Sequence, residues 1–189
     1  MEKQTMTLLE KKKLFTQGGI VVGAVLLLCY FFGFSYVWNT GYGTEVGVNG
    51  WNYFFALITK HYKGTGALYG DIAVPFYYYA EYQTIILSYV TTISLGLLVV
   101  FIILSIFNIK NFKTKLAKVI TITLYVLAVA YLTCFVVALT MNGSNILPKY
   151  CGGNPQCSVA TLTIFPFLIA VITAIADTVF LYKNKEDLQ

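Results

Sequence analysis

Four stretches of the chain, 14–39, 84–107, 117–141 and 160–182, are apolar almost throughout. A helix crosses a hydrocarbon core of about 30 Å with roughly 20 residues, so each stretch is long enough to span a bilayer. None alternates in polarity, and each is about twice the length of a barrel strand. The pattern therefore predicts an all-α membrane protein: one domain of four transmembrane helices packed as a bundle. Two longer connections, 40–83 and 142–159, then lie on one side of the membrane.

Small residues recur along the spans. Gly19 and Gly23 form a GxxxG step in the first. Thr84, Ser88, Thr92 and Gly96 repeat every four residues in the second, Ala130, Cys134 and Ala138 in the third, and Ala170, Ala174 and Thr178 in the fourth. Residues at this spacing stack on one helix face, and small ones let helix backbones approach closely. They predict one compact bundle. Each Thr or Ser hydroxyl also has a local partner in the carbonyl one turn back.

The first connection is not a polar linker. In "WNYFFALITKHY", Trp51, Phe54, Phe55, Ile58 and Tyr62 fall at helical spacing on one face, with Asn52, Thr59 and Lys60 elsewhere. A surface helix with its aromatic face turned down is favoured, with a strand over "YFFALIT" as the alternative. "TEVGV" upstream reads as a short strand. Pro75 suits a first helical position, which would start the second helix well before its span and carry Tyr77, Tyr78, Tyr79 and Tyr82 above the headgroups. The connection holds eight of the fifteen tyrosines, so an ordered, aromatic-rich extracellular cap is expected. Tyr36 and Trp38 fit an interfacial belt at the end of the first span, and Pro166 is expected to kink the fourth.

Composition excludes a soluble globule. The chain is 58% hydrophobic and 11% charged, with a mean hydropathy of +0.71, whereas a soluble domain carries about 25% charged residues. All thirteen basic residues are lysines. Ten lie before the first span, after the fourth, or at the connection of the second and third, counting Lys118 just inside the third; three lie in the other connections. By the positive-inside rule both termini are expected in the cytoplasm. The net charge of +5 then belongs to helix ends facing anionic lipid, and no nucleic-acid partner is expected. The absence of arginine beside abundant Ile, Tyr, Phe and Asn suggests an AT-rich genome and a bacterial cytoplasmic membrane. The first span lacks a small-x-small cleavage site and is expected to be retained.

Chemistry is sparse. Cys151 and Cys157 enclose a turn-forming Gly-Gly-Asn-Pro-Gln on the expected oxidising side, which predicts a structural disulfide. Cys29 and Cys134 lie inside spans and read as packing residues rather than a redox relay. Asp177 is the only acid inside a span. Such a residue is a functional candidate by default, with Lys118, Gln17 and Thr173 as expected neighbours. His61 is the only histidine, so no metal site and no cofactor are expected. No nucleophile–base set, phosphate-cradling loop or catalytic carboxylate pair appears, and the chain is expected not to be an enzyme.

Four spans, a long first outer connection and a short second one make the outline similar to claudin-like four-span proteins. In those the first outer loop folds as a small sheet and carries a Gly-Leu-Trp motif with a cysteine pair. Here Asn49-Gly50-Trp51 echoes the motif, the loop has no cysteine, and the pair stands in the second loop. The resemblance covers topology and carries over no residue roles. The expected function is an accessory or scaffolding subunit that binds another membrane or surface protein, or a second copy, through Trp51, Phe54, Phe55, Tyr62 and Tyr78, with membrane lipid around the spans. The alternative is a small transporter or channel with Asp177 on its pathway.

Overall fold

A computed structural model describes residues 7–32, 36–39, 45–48, 50–59, 61–66, 70–75, 82–110, 112–141, 156–159 and 164–185; in the strands, only the backbone is described. Four long helices, α1 (Leu8–Phe32), α3 (Tyr82–Lys110), α4 (Thr114–Met141) and α5 (Phe165–Lys183), are long and apolar enough to cross a membrane. A shorter helix, α2 (Gly50–Thr59), lies in the first long connection.

The boundaries move where local hydrogen bonding overrides hydropathy. α1 begins six residues ahead of the apolar stretch because Thr7 and Glu10 form a capping box. The Thr7 amide donates to Glu10 Oε2 at 2.8 Å and the Glu10 amide donates back to Thr7 Oγ1 at 3.4 Å. At its other end α1 stops at Phe32, and Tyr36 and Trp38, expected at the end of the span, belong to a strand. α5 starts at Phe165 with Pro166 in its first turn, where the missing N–H costs no helical bond, so the expected proline kink is replaced by a proline start.

The largest addition to the all-α expectation is a five-stranded antiparallel sheet. Its strands are β1 (Tyr36–Asn39), β2 (Glu45–Val48), β3 (His61–Gly66), β4 (Gly70–Pro75) and β5 (Gln156–Val159), in the order β4-β3-β2-β1-β5. β1 comes from the end of the stretch expected as the first span, β2, β3 and β4 from the first long connection, and β5 from the second. Strand pairing of Tyr36 with Val159 and Trp38 with Cys157 thereby ties the two connections together. Pro75 ends β4 rather than opening the next helix. β4 is an edge strand, the place in a sheet that tolerates a residue without an N–H donor.

α1 packs on α3, α3 on α4, α4 on α5 and α5 back on α1, closing a four-helix ring. Leu26, Leu98, Phe101, Leu124 and Leu127 fill its centre. The GxxxG step of α1 is used inside this ring. A Cβ on Gly19 would sit 3.0 Å from Ser105 Oγ, and one on Gly23 would sit 2.6 Å from Ile102 Cγ1, so at Gly23 a side chain would force α3 side chains to shift. Of the four-residue ridge expected on α3, Ser88 is buried and Thr92 half-buried, but Gly96 is exposed with nothing near it. The buried seam instead runs through Thr91, Ser94, Leu98, Phe101 and Ser105. On α4 Cys134 is buried and Ala130 half-buried, and on α5 Ala170 and Ala174 are buried while Thr178 is exposed.

Candidate functional site

Two regions combine defined geometry with accessible surface, one at each end of the bundle. The first is α2, at the sheet end. Its period places Gly50, Tyr53, Phe54 and Leu57 on one side, and α2 packs against α1 and α3. Tyr53 is 1% exposed and belongs to the main core. Trp51 is half-buried, with its ring 5.9 Å from Tyr30 and 5.6 Å from Phe31 of α1. Phe54 packs against the core and meets Trp51 edge-on at 6.3 Å. Phe55 and Ile58 turn outward, 50% and 64% exposed.

The face expected to turn down is therefore split. Trp51 and Phe54 are seated, while Phe55 and Ile58 look away from the bundle. Tyr53 was not on the expected face, although the spacing of 50, 53, 54 and 57 is as helical as that of 51, 54, 55 and 58. Beneath α2 the core is polar in its hydroxyls. Tyr30 shares a hydrogen bond of 2.5 Å with Ser94, and its ring stands edge-on to Tyr131 at 6.4 Å. Tyr62 lies on β3, paired with Val74, and only its backbone is described. Tyr78 lies outside the described residues, as does Cys151, so the expected Cys151–Cys157 bridge falls there too. Cys157 itself is on β5; Cys29 is half-buried and Cys134 buried, both as free thiols within helices.

The second region is a groove of about 240 Å³ between α1 and α5 near the lysine-rich end. Lys11, Phe15, Gly18 and Val22 line it from α1, and Thr173, Ala176, Asp177 and Phe180 from α5. Each set is one helix face, with spacings of three and four residues. Two contacts fix how the helices oppose each other. Lys11 Nζ donates to Asn184 Oδ1 at 3.5 Å, and the Phe15 and Phe180 rings lie 5.2 Å apart. The same antiparallel register sets Gly18 opposite Asp177 and Val22 opposite Thr173.

Phe112, in the turn between α3 and α4, packs on the two rings at this end of the groove. It meets Phe15 at 5.8 Å and Phe180 at 6.3 Å, both edge-on, and carries Lys12 Nζ at 5.5 Å from its ring centre. This three-ring cluster joins residues far apart in sequence, and no spacing rule points to it.

Asp177 makes no hydrogen bond or ion pair with another described residue. The expected partners are not beside it: Lys118 and Gln17 are exposed and do not line the groove. Thr173 does line it, but its hydroxyl donates to the Ile169 carbonyl at 2.8 Å. Local bonding of this kind is general: Thr92, Ser105, Thr121 and Thr178 each donate to the carbonyl four residues back. The hydroxyls are thus consumed by their own helices. Among the described residues no three of His, Cys, Asp and Glu come together as metal ligands.

No protein-family model, no curated protein and no solved structure matches the chain.

Proposed function

We propose that the chain is a non-enzymatic membrane subunit that binds another membrane or surface protein through the sheet end, on the outer side of the membrane. The observation that carries this reading is the way α2 is mounted. Tyr53 and Trp51 lock it to α1 and α3, so Phe55 and Ile58 are presented outward on a fixed base. With Phe31 of α1, whose ring abuts Trp51, they form an exposed apolar surface whose order is already supplied by folding. Aromatic groups held in this way give contact area at small entropy cost. The lysine-rich ends of α1, α3, α4 and α5 then face the cytoplasm.

A carrier or channel is less well supported. Asp177 lines a groove bounded by α1 and α5 on the outside of the ring, and the centre of the ring is filled by Leu26, Leu98, Phe101, Leu124 and Leu127.

The test is site-specific photocrosslinking in native membranes. A photoreactive residue replaces Phe55 or Ile58 in turn, and Ile122 on the exposed side of α4 serves as the control. A single protein adduct from both α2 positions and none from Ile122 is the expected result. Lipid adducts alone at all three positions would reduce α2 to a membrane anchor and end the proposal.

A further inference from the structure

The α1–α5 groove presents a carboxylate to the outside of the bundle at membrane depth. Asp177 lies six residues before Lys183, about 9 Å along the helix axis from the lysine-rich end of α5. It is half-buried and has no described partner. Opposite it stands Gly18, where an added Cβ would meet nothing within 4 Å. The walls beside this gap, Val22 and Ala176, are apolar. An ionisable group within a span is costly unless paired, and such groups pair with one another or line a polar cavity.

Lys11 does not supply the pair. Side chains on a helix tilt toward its N-terminus, which carries Lys11 away from Asp177. Its ammonium is held at Asn184, a full two turns along the axis, or about 10 Å, from the level of Asp177. A phospholipid is a poor occupant for the same reason. With its phosphate at Lys11, its amine would lie outside the phosphate, farther still from Asp177.

We infer that the groove receives a lysine or arginine side chain from a transmembrane helix of a partner protein, which ion-pairs with Asp177 across the Gly18 gap. The gap is too small for a helix, whose diameter is about 10 Å, but takes one long side chain as a knob. Gly18 and Ala176 at the rims let the partner backbone approach. The cationic head reaches the carboxylate while its methylene stem covers the apolar wall. This inference rests on the accessory-subunit reading and names a second contact, inside the bilayer, with the chemistry of the partner's residue.

The test uses the full chain in phosphatidylcholine vesicles with a donor fluorophore. The probe is an acceptor-labelled Leu/Ala-rich peptide of about 20 residues, one membrane span, carrying a single lysine at the level of Asp177. The control peptide has norleucine in place of the lysine. The lysine peptide is expected to associate about tenfold more strongly, as one intramembrane polar pair provides. Asp177→Asn and Gly18→Leu are each expected to remove that preference, the first by removing the charge and the second by filling the gap. A Cβ at Gly18 meets nothing within 4 Å, so the backbone accepts a side chain there, and an unchanged thermal unfolding midpoint checks that Gly18→Leu keeps the fold.

Equal association of the two peptides would overturn the inference, as would a preference that survives in Asp177→Asn. Loss of the preference when phosphatidylethanolamine replaces phosphatidylcholine would make an amine lipid the occupant, and would overturn it too. Crosslinking at Phe55 and Ile58 reads the sheet end independently, so either contact can fail without the other.

Discussion

At the sheet end, Tyr53 is buried in the core while Phe55, two residues on, is half exposed. At the lysine-rich end, Phe15, Phe112 and Phe180 turn onto one another, and beside them is a groove whose acid has no partner among the described residues. One end fills its interior and offers apolar surface outward. The other seals its tip with rings and offers a charge through a gap. The two ends therefore suit different contacts: a broad apolar face at the level of the sheet, and a single charged knob within the bilayer.

The largest effect should come from removing the peg that mounts α2. Tyr53→Ala leaves a cavity where a ring was fully enclosed and should destabilise the protein by about 3 kcal/mol. The effect should fall on α2: protease cleavage between β2 and β3 should rise sharply while α1, α3, α4 and α5 stay helical. Phe55→Ala, which removes a half-exposed ring, should change stability by less than about 1 kcal/mol. Thermal unfolding in mild detergent and limited proteolysis compare the two. If Phe55→Ala proved as damaging as Tyr53→Ala, α2 would be packed on the opposite face.

The same contrast shows how far the sequence reaches. The four spans were legible because about 20 consecutive apolar residues admit few other solutions, and the helix at α2 and the strand at β2 were legible from period and turn residues. The sheet as a whole was not. β1 carries aromatic residues that read from the sequence as a membrane belt, and β5 lies more than a hundred residues away, so their pairing is a long-range event that no local window contains. Pro75 reads from the sequence as a helix start, and only pairing with the neighbouring β3 makes it an edge-strand residue. At the candidate sites, Asp177 was legible by its rarity, but its partners were not. Depth alone points to Lys118 or Gln17, whereas helix rotation turns Asp177 toward Gly18. The face of α2 was half legible, since two helical periods overlap there and only packing against α1 and α3 chooses between them.

Within α1, two glycines five residues apart test the contrast of filled and open space. Gly23→Leu drives a side chain into Ile102 and Phe101 of α3 and should cost about 2 kcal/mol by overpacking. Gly18→Leu points into the open groove and should be neutral, or stabilising by up to about 1 kcal/mol through helix propensity. Unfolding in mixed detergent micelles reads both. Equal damage from the two would mean that the groove is closed and that Gly18 is packed as tightly as Gly23.

The smallest effect separates the ring cluster from the charges above it. Lys12 rests on the face of Phe112, the ring that meets Phe15 and Phe180 edge-on. A cation over an exposed ring contributes about 0.5 kcal/mol, so Lys12→Gln should lower stability by about that amount. Phe112→Ala should cost more, since it removes the cation's seat and both edge-on contacts together, each of about 0.5 to 1.5 kcal/mol. In Phe112→Ala the further change Lys12→Gln should then have no effect, because the ring that received the cation is gone. The double-variant cycle isolates this pair from the surrounding lysines. Additive losses would assign Lys12 to the lipid surface, and the tip of the bundle would then be held by its three rings alone.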